Sequence, residues 1–268
     1  MKIDYTGLLW DEFVLFDIET APKPDVAAEF IKRETAKLPP QRDPLVQPFK
    51  IPEMNVGEVD GLVRACNPTT TWLHEAIKCE KENKNRKGVQ SLLEKTFSKL
   101  VEPIALEKKI CLMPELCDIL CIGMSIKGER EILVKGRCCE NMMLDRFWAV
   151  CNLMQPCGWN ISGFDLPVIL HRSKDHGLEP TRKFEFTYSG EGFLDLLKLR
   201  KQTAGSDRLT DVALALGFDG DGDDPLKSGG ADVYEAWSVG RTDDVVAHCM
   251  TDLARLEHVF FNYIGVYL

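Results

Sequence analysis

A chain of 268 residues with 44% hydrophobic and 28% charged side chains can bury one large core, and its composition excludes a fibrous or wholly disordered protein. Its apolar runs all fall short of the roughly eighteen residues that a membrane-crossing helix needs. The net charge of −9 argues against a dedicated high-affinity DNA-binding protein, which would carry a basic face. It does not exclude an enzyme whose acidic site fills with cations, because bound cations become the largest local positive charges. The start, MKIDYTGLLWDEF, lacks a basic region followed by an apolar run and a small-residue cleavage site, so a cytoplasmic protein is expected. None of the ten cysteines forms a C-x-x-C pair, and reduced, mostly buried thiols are the expectation.

In chain order, Phe13-Val14-Leu15-Phe16 reads as a buried central strand ending at Asp17. From Pro22 to about Lys109 the character changes. Pro39-Pro40, Pro44, Pro48 and Pro52 precede a charged run from Lys78 to Lys87, and a helical pattern follows from Val89 to Val101. The stretch 22–109 reads as an insertion, partly irregular and partly helical, in a single domain whose core is 12–21 and 110–268. Leu116 to Ile126 predicts a strand, with Glu131 to Lys135 as its hairpin partner across Lys127-Gly128-Glu129. Met142 to Leu153 carries a helical apolar stripe, and Trp159 to Ile161 predicts another short strand. Asp165 opens a helix, with Pro167 suited to its first turn. Leu209 to Leu216, closed by Gly217, is a short helix, and Thr242 to Tyr263 a long one with Thr242 or Asp243 as N-cap candidate. The order predicts an α/β fold with a mixed central sheet flanked by helices.

Asp17 and Glu19 flank Ile18, and side chains two apart on a strand share a face. Two carboxylates held together repel unless a cation sits between them, and magnesium is bound by one or two carboxylates with the rest of its shell left to water and phosphate. D-x-E alone is weak, and its position on an apolar strand is what raises it. Asn160-Ile161-Ser162-Gly163-Phe164-Asp165 places a carboxylate at a helix start, where its plain role would be N-capping. His248 and Asp252 are one turn apart on the last helix, where a surface pair is the plain role. An imidazole there could orient or deprotonate a water beside a metal ligand.

Taken in order, FDIET, then N-x3-FDLPVI, then H-C-x-x-D resembles the three signature motifs of the DnaQ-like (DEDD) 3′–5′ exonucleases of the ribonuclease H-like fold. The flavour is similar to the predicted exonucleases related to the proofreading domain of family-B DNA polymerases. LDLLKLRK, RLTDVALALGF and GADVYEAW match as well, so the likeness covers Phe13 to Thr20 and roughly Leu116 to Tyr263. The resemblance implies that Asp17, Glu19 and Asp252 hold the metal that activates the attacking water. Asp17 with Asp165 would hold the second metal at the leaving 3′-oxygen. Two divalent cations, Mg²⁺ or Mn²⁺, would then clamp an in-line displacement that releases nucleoside monophosphates. The implied substrate is nucleic acid, single-stranded DNA or a frayed 3′ end, with RNA the alternative. Any replication or repair partner is unspecified. Thr20, Asn160 and Phe164 are candidate substrate contacts, Asn160 as a positional support.

One position departs from the family pattern. One branch places a Tyr four residues before the last Asp, and the other a His five before it. This chain has His248 four before Asp252, and Ala247 five before. His248 is expected to take the water-orienting role. A catalytically weakened nucleic-acid-binding or scaffold protein on the same fold is the rival reading. Endonucleolytic cutting on this fold is a further one.

Other features are given plainer roles. Asp219-Gly-Asp-Gly-Asp-Asp224 fails the calcium-loop pattern at its sixth and twelfth positions, and a solvated turn is expected. Lys198, Arg200 and Lys201, with Arg172 and Lys174, read as a solvated basic face that could meet phosphates. Asp195 is expected to make a structural hydrogen bond. Trp159 and Phe164 could stack on a base, but core packing is the expectation for both.

Overall fold

The computed structural model describes residues 11–36, 44, 46–66, 68–100, 110–186, 191–200, 207–220, 224–226 and 230–267. The chain divides into two compact units, one of residues 1–23 with 110–268 and one of residues 24–109. No helix among the described residues is long and apolar enough to cross a membrane.

The first unit is built on a five-stranded mixed sheet in the order β3-β2-β1-β4-β5. Its strands are β1 (Phe13–Pro22), β2 (Cys117–Ile126), β3 (Glu129–Val134), β4 (Gln155–Gly158) and β5 (Leu194–Asp195). β2 runs antiparallel to both neighbours, and β1, β4 and β5 run parallel. β1 extends past the predicted end at Asp17, so Asp17 and Glu19 lie within the paired strand, opposite Gly123 and Cys121. β2 and β3 meet through a two-residue turn, Lys127 (φ 54°) and Gly128 (φ 88°), tighter than the predicted link. Two left-handed residues in succession suit the right-handed twist of the flanking strands.

Alternation along β1 decides what each face carries. Val14, Phe16 and Ile18 point into a core shared with the helices Glu140–Cys151 and Asp165–Asp175. Phe16 meets Phe147 edge-on at 5.0 Å between ring centroids, a contact that adds about 0.5–1.5 kcal/mol to burial. Phe13 and Leu15 point the other way, against the helices Leu209–Ala215 and Thr242–Tyr267. Asp17 and Glu19 continue this second face, so the strand sets two carboxylates where apolar side chains would otherwise stand.

The strand predicted at Trp159 to Ile161 lies earlier, at Gln155–Gly158. The reason is backbone geometry. Asn160 adopts φ 58°, which ends the extended run and turns the chain into the next helix. A strand spelled Gln-Pro-Cys-Gly has weak local propensity and is held by its parallel pairing with β1.

The second unit is largely helical among its described residues. In the order α1 to α4 its helices are Pro24–Ala36, Val56–Cys66, Thr70–Asn83 and Lys87–Leu100, with a 3-10 turn at Pro48–Glu53. Ile51, Val59, Val63, Trp72, Leu73, Ala76, Val89 and Leu93 form its own core. The charged run Lys78–Lys87 begins in the second half of α3, whose apolar face lies earlier in the helix. Thr69 caps that helix by accepting the Trp72 N–H. Glu80 is fully buried and gripped by Arg86, which also donates to the carbonyls of Ile51 and Met54. The Pro39-Pro40 pair lies outside the described residues.

Candidate metal centre

The cleft is an open hollow of about 440 Å³ on the first unit. Asp17 and Glu19 reach it from β1. Asp165 reaches it from the first turn of the helix Asp165–Asp175, here called α6 (α5 being Glu140–Cys151). His248 and Asp252 reach it from Thr242–Tyr267, here α10 (α7, α8 and α9 being Leu196–Arg200, Leu209–Ala215 and Gly230–Ser238). Leu112, Trp159, Asn160 and Phe164 complete the walls.

Each side chain has a local reason for its position. Asp165 is not the N-cap of α6; that residue is Phe164, and the Asp165 carboxyl instead accepts the Ile18 N–H and its own. The turn before it is held by Asp195. This buried carboxylate accepts the N–H groups of Asn160 (3.0 Å), Ser162 (3.1 Å) and Leu197 (3.1 Å), and the Ser162 hydroxyl (2.6 Å). The expected structural role of Asp195 is what these bonds describe. α10 can approach the sheet closely because its neighbour at the crossing is Gly123 of β2. A Cβ there would sit 2.6 Å from Cys249 Sγ and 3.0 Å from Leu253 Cδ1.

The electrostatics are those of crowded like charges. Burial, then Asp252 and Asp165, hold the Asp17 carboxyl well above the usual carboxylate range, with Arg255 opposing. Burial and then Asp17 do the same to Glu19. Asp165 is pushed up to about 7, first by burial, against the two backbone N–H groups that favour its charged form.

His248 is 1% exposed. Its Nδ1 lies 2.9 and 3.0 Å from the two carboxylate oxygens of Asp224, and its Nε2 lies 3.6 Å from Glu19 and 3.5 Å from Asp252. Asp224 also accepts the Leu226 N–H at 2.9 Å and the Arg255 guanidinium at 2.8 Å. Burial works to raise the Asp224 carboxyl, but these donors together hold it below its ordinary value. Arg255 bridges onward to Asp252. The bonded chain therefore runs His248–Asp224–Arg255–Asp252.

This corrects the reading of the Asp219–Asp224 run at its last residue; residues 221–223 lie outside the described residues. Asp224 is 3% exposed and is no part of a solvated turn. The local cue was slight: it is the one acid of the run followed by Pro225-Leu226, and Leu226 enters the core. Arg172 is a second correction. It is buried and clamped by Glu140 at 2.7 Å, Asp118 at 3.1 Å and Asp175 at 2.6 Å, so it is not on a basic face open to phosphate. Lys201 lies outside the described residues, and Lys198 sits over the Phe193 ring.

The candidate substrate contacts divide. Asn160 and Phe164 line the cleft, whereas Thr20 is buried and donates its hydroxyl to the Cys111 carbonyl at 2.8 Å. Phe164 also packs on the core, as does Trp159, whose indole N–H donates to the Asp207 carbonyl at 2.9 Å.

A mixed sheet that brings carboxylates from a strand and two helices into one cleft defines an α/β protein with a candidate centre for hard divalent cations. The chain belongs to the family described as predicted 3′–5′ exonucleases related to the exonuclease domain of PolB, which matches residues 118–265. Asp165, Asp224, His248 and Asp252 lie inside the matched stretch, and Asp17 and Glu19 lie before it. Comparison with curated protein sequences finds no match.

Proposed function

We propose that this protein is a 3′–5′ exonuclease of the ribonuclease H-like fold that removes nucleoside monophosphates from 3′ ends, with single-stranded DNA as substrate. The strand order β3-β2-β1-β4-β5, with only β2 reversed, supports the fold. One observation carries the activity. Asp17, Glu19, Asp165 and Asp252 converge on a single cleft, and burial with mutual repulsion disfavours the charged form of the first three. A structure gains nothing from that crowding by itself, and oxygen-only donors of this density fit Mg²⁺ or Mn²⁺.

In this reading Asp17, Glu19 and Asp252 would hold one cation, and Asp17 with Asp165 the other. Bound cations would supply the positive charge that an in-line displacement at phosphorus needs. The chain's own residues do the positioning. β1 fixes the separation of Asp17 and Glu19 on a paired strand. Asp195 holds the turn that aims Asp165. Asn160 supports the same turn, and Phe164 and Trp159 offer ring surface to a terminal base.

The test is digestion of a 5′-labelled single-stranded DNA with Mn²⁺, wild type against Asp17→Ala, with a matched RNA and a circular DNA alongside. A ladder that shortens from the 3′ end and disappears in Asp17→Ala is the expected result. Faster loss of the RNA would move the substrate to RNA. Cutting of the circle would make the enzyme an endonuclease. No metal-dependent cleavage of any substrate would leave a binding or scaffold protein.

A further inference from the structure

We infer that His248 Nε2 is itself a ligand of the cation held by Glu19 and Asp252, and that Asp224 is the residue that positions it. The inference rests on the reading that this cleft holds cations, and it changes what His248 does there. Asp224 takes donors from three directions, namely the Leu226 N–H, the Arg255 guanidinium and His248 Nδ1. A carboxylate placed so accepts from each, which puts an imidazole proton on Nδ1 and makes Nε2 the nitrogen that faces the cleft. Nε2 faces Glu19 and Asp252 at 3.6 and 3.5 Å, too far for good hydrogen bonds. All three donor atoms lie within 4.8 Å of one another. Ligands about 2.0–2.2 Å from one ion sit roughly 3–3.5 Å from each other, so Nε2, at 3.5 and 3.6 Å from the two carboxylates, is close to the separation that sharing an ion requires. A ring 1% exposed and gripped at its far nitrogen is a fixed ligand rather than a base that swings to meet a water. Carboxylate–histidine–metal chains have this arrangement, and the outer carboxylate sets the ring's orientation.

The consequence is metal choice. Magnesium takes oxygen donors and keeps its waters, whereas imidazole suits zinc, and manganese, although it also takes oxygen donors, accepts a nitrogen ligand more readily than magnesium does. The Glu19–His248–Asp252 position therefore favours Mn²⁺ or Zn²⁺ over Mg²⁺. The test is calorimetric titration of Mn²⁺ and, separately, Mg²⁺ into the metal-free full chain, for wild type, His248→Gln and Asp224→Asn. Circular dichroism checks the fold of each. Mn²⁺ affinity is expected to fall about 10–100-fold in both variants, and Mg²⁺ affinity to change far less. In ¹⁵N spectra of the wild type, Zn²⁺ should move the His248 Nε2 resonance and leave Nδ1 protonated. Equal losses for both metals, or unchanged Mn²⁺ affinity in folded His248→Gln, would overturn the inference while leaving the exonuclease reading intact. A wild-type protein that binds neither ion would overturn both. Should Asp224→Asn fail to fold, His248→Gln and the Nε2 resonance decide the matter.

Discussion

Asp165 shows how burial and function oppose each other at single residues. In the unfolded chain an aspartate titrates near about 3.9. In the folded chain Asp165 is raised to about 7, so folding takes up a proton between those values. Its contribution to stability is fully present below the unfolded value and is lost as pH rises through about 7. Asp17 and Glu19 shift the same way and add to the trend. The melting temperature of the protein in EDTA should therefore fall steadily from about pH 5 to about pH 8, and Mn²⁺ should reverse the fall. A flat profile in EDTA would contradict the crowding described here. Asp17→Asn removes one of the repelling charges. It should raise the melting temperature of the metal-free protein near neutral pH, yet lower nuclease activity by on the order of 10³-fold, a loss of about 4 kcal/mol of charge stabilisation.

At the scale of elements, the site depends on how closely α10 lies on the sheet. Gly123 stands on β2 opposite Asp17, and a methyl group there would press on the side chains of Cys249, Ile132 and Leu253. Gly123→Ala should cost about 1–3 kcal/mol in urea denaturation by overpacking. It should also weaken Mn²⁺ binding, because Asp252 and His248 ride on the displaced helix. The turn into α6 depends on Asp195. Asp195→Ala leaves the N–H groups of Asn160 and Ser162 without their acceptor, at a cost of about 1–3 kcal/mol. Activity should drop with it, since Asp165 follows the same turn. A variant that loses stability and keeps full activity would show that the turn does not aim Asp165.

At the scale of the whole molecule, the division at residues 24–109 predicts an independent folding unit. It has its own core and a buried Glu80–Arg86 pair that ties α3 to the 3-10 turn. Expressed alone, residues 24–109 should give a helical circular dichroism spectrum and a cooperative melt. Arg86→Ala should lower that melt by about 1–3 kcal/mol, because it strands a fully buried carboxylate. A non-cooperative melt of the wild-type fragment would show that this unit needs the rest of the chain.

Much of this was legible along the sequence wherever a period or a spacing carried it. The continuous apolar run Phe13 to Phe16 marked β1. The i, i+2 spacing of Asp17 and Glu19 put both carboxylates on one face, and the i, i+4 spacing of His248 and Asp252 did the same on α10. Family membership was readable because the motifs stand in order within an otherwise ordinary α/β chain. Other features were not legible, and in each the deciding partner is distant in sequence. Gln155–Gly158 is a strand because β1 pairs with it, not because its residues favour extension. Arg172 is buried because Glu140 and Asp118 wait for it in the fold. Asp224 lies twenty-four residues from His248, in a run that locally resembles a solvent turn. Sequence alone determined which residues could meet on one strand or one helix face, because those periods are local. Only the tertiary structure decided that Asp224 closes on His248, since a hydrogen bond between remote residues leaves no trace in local periodicity.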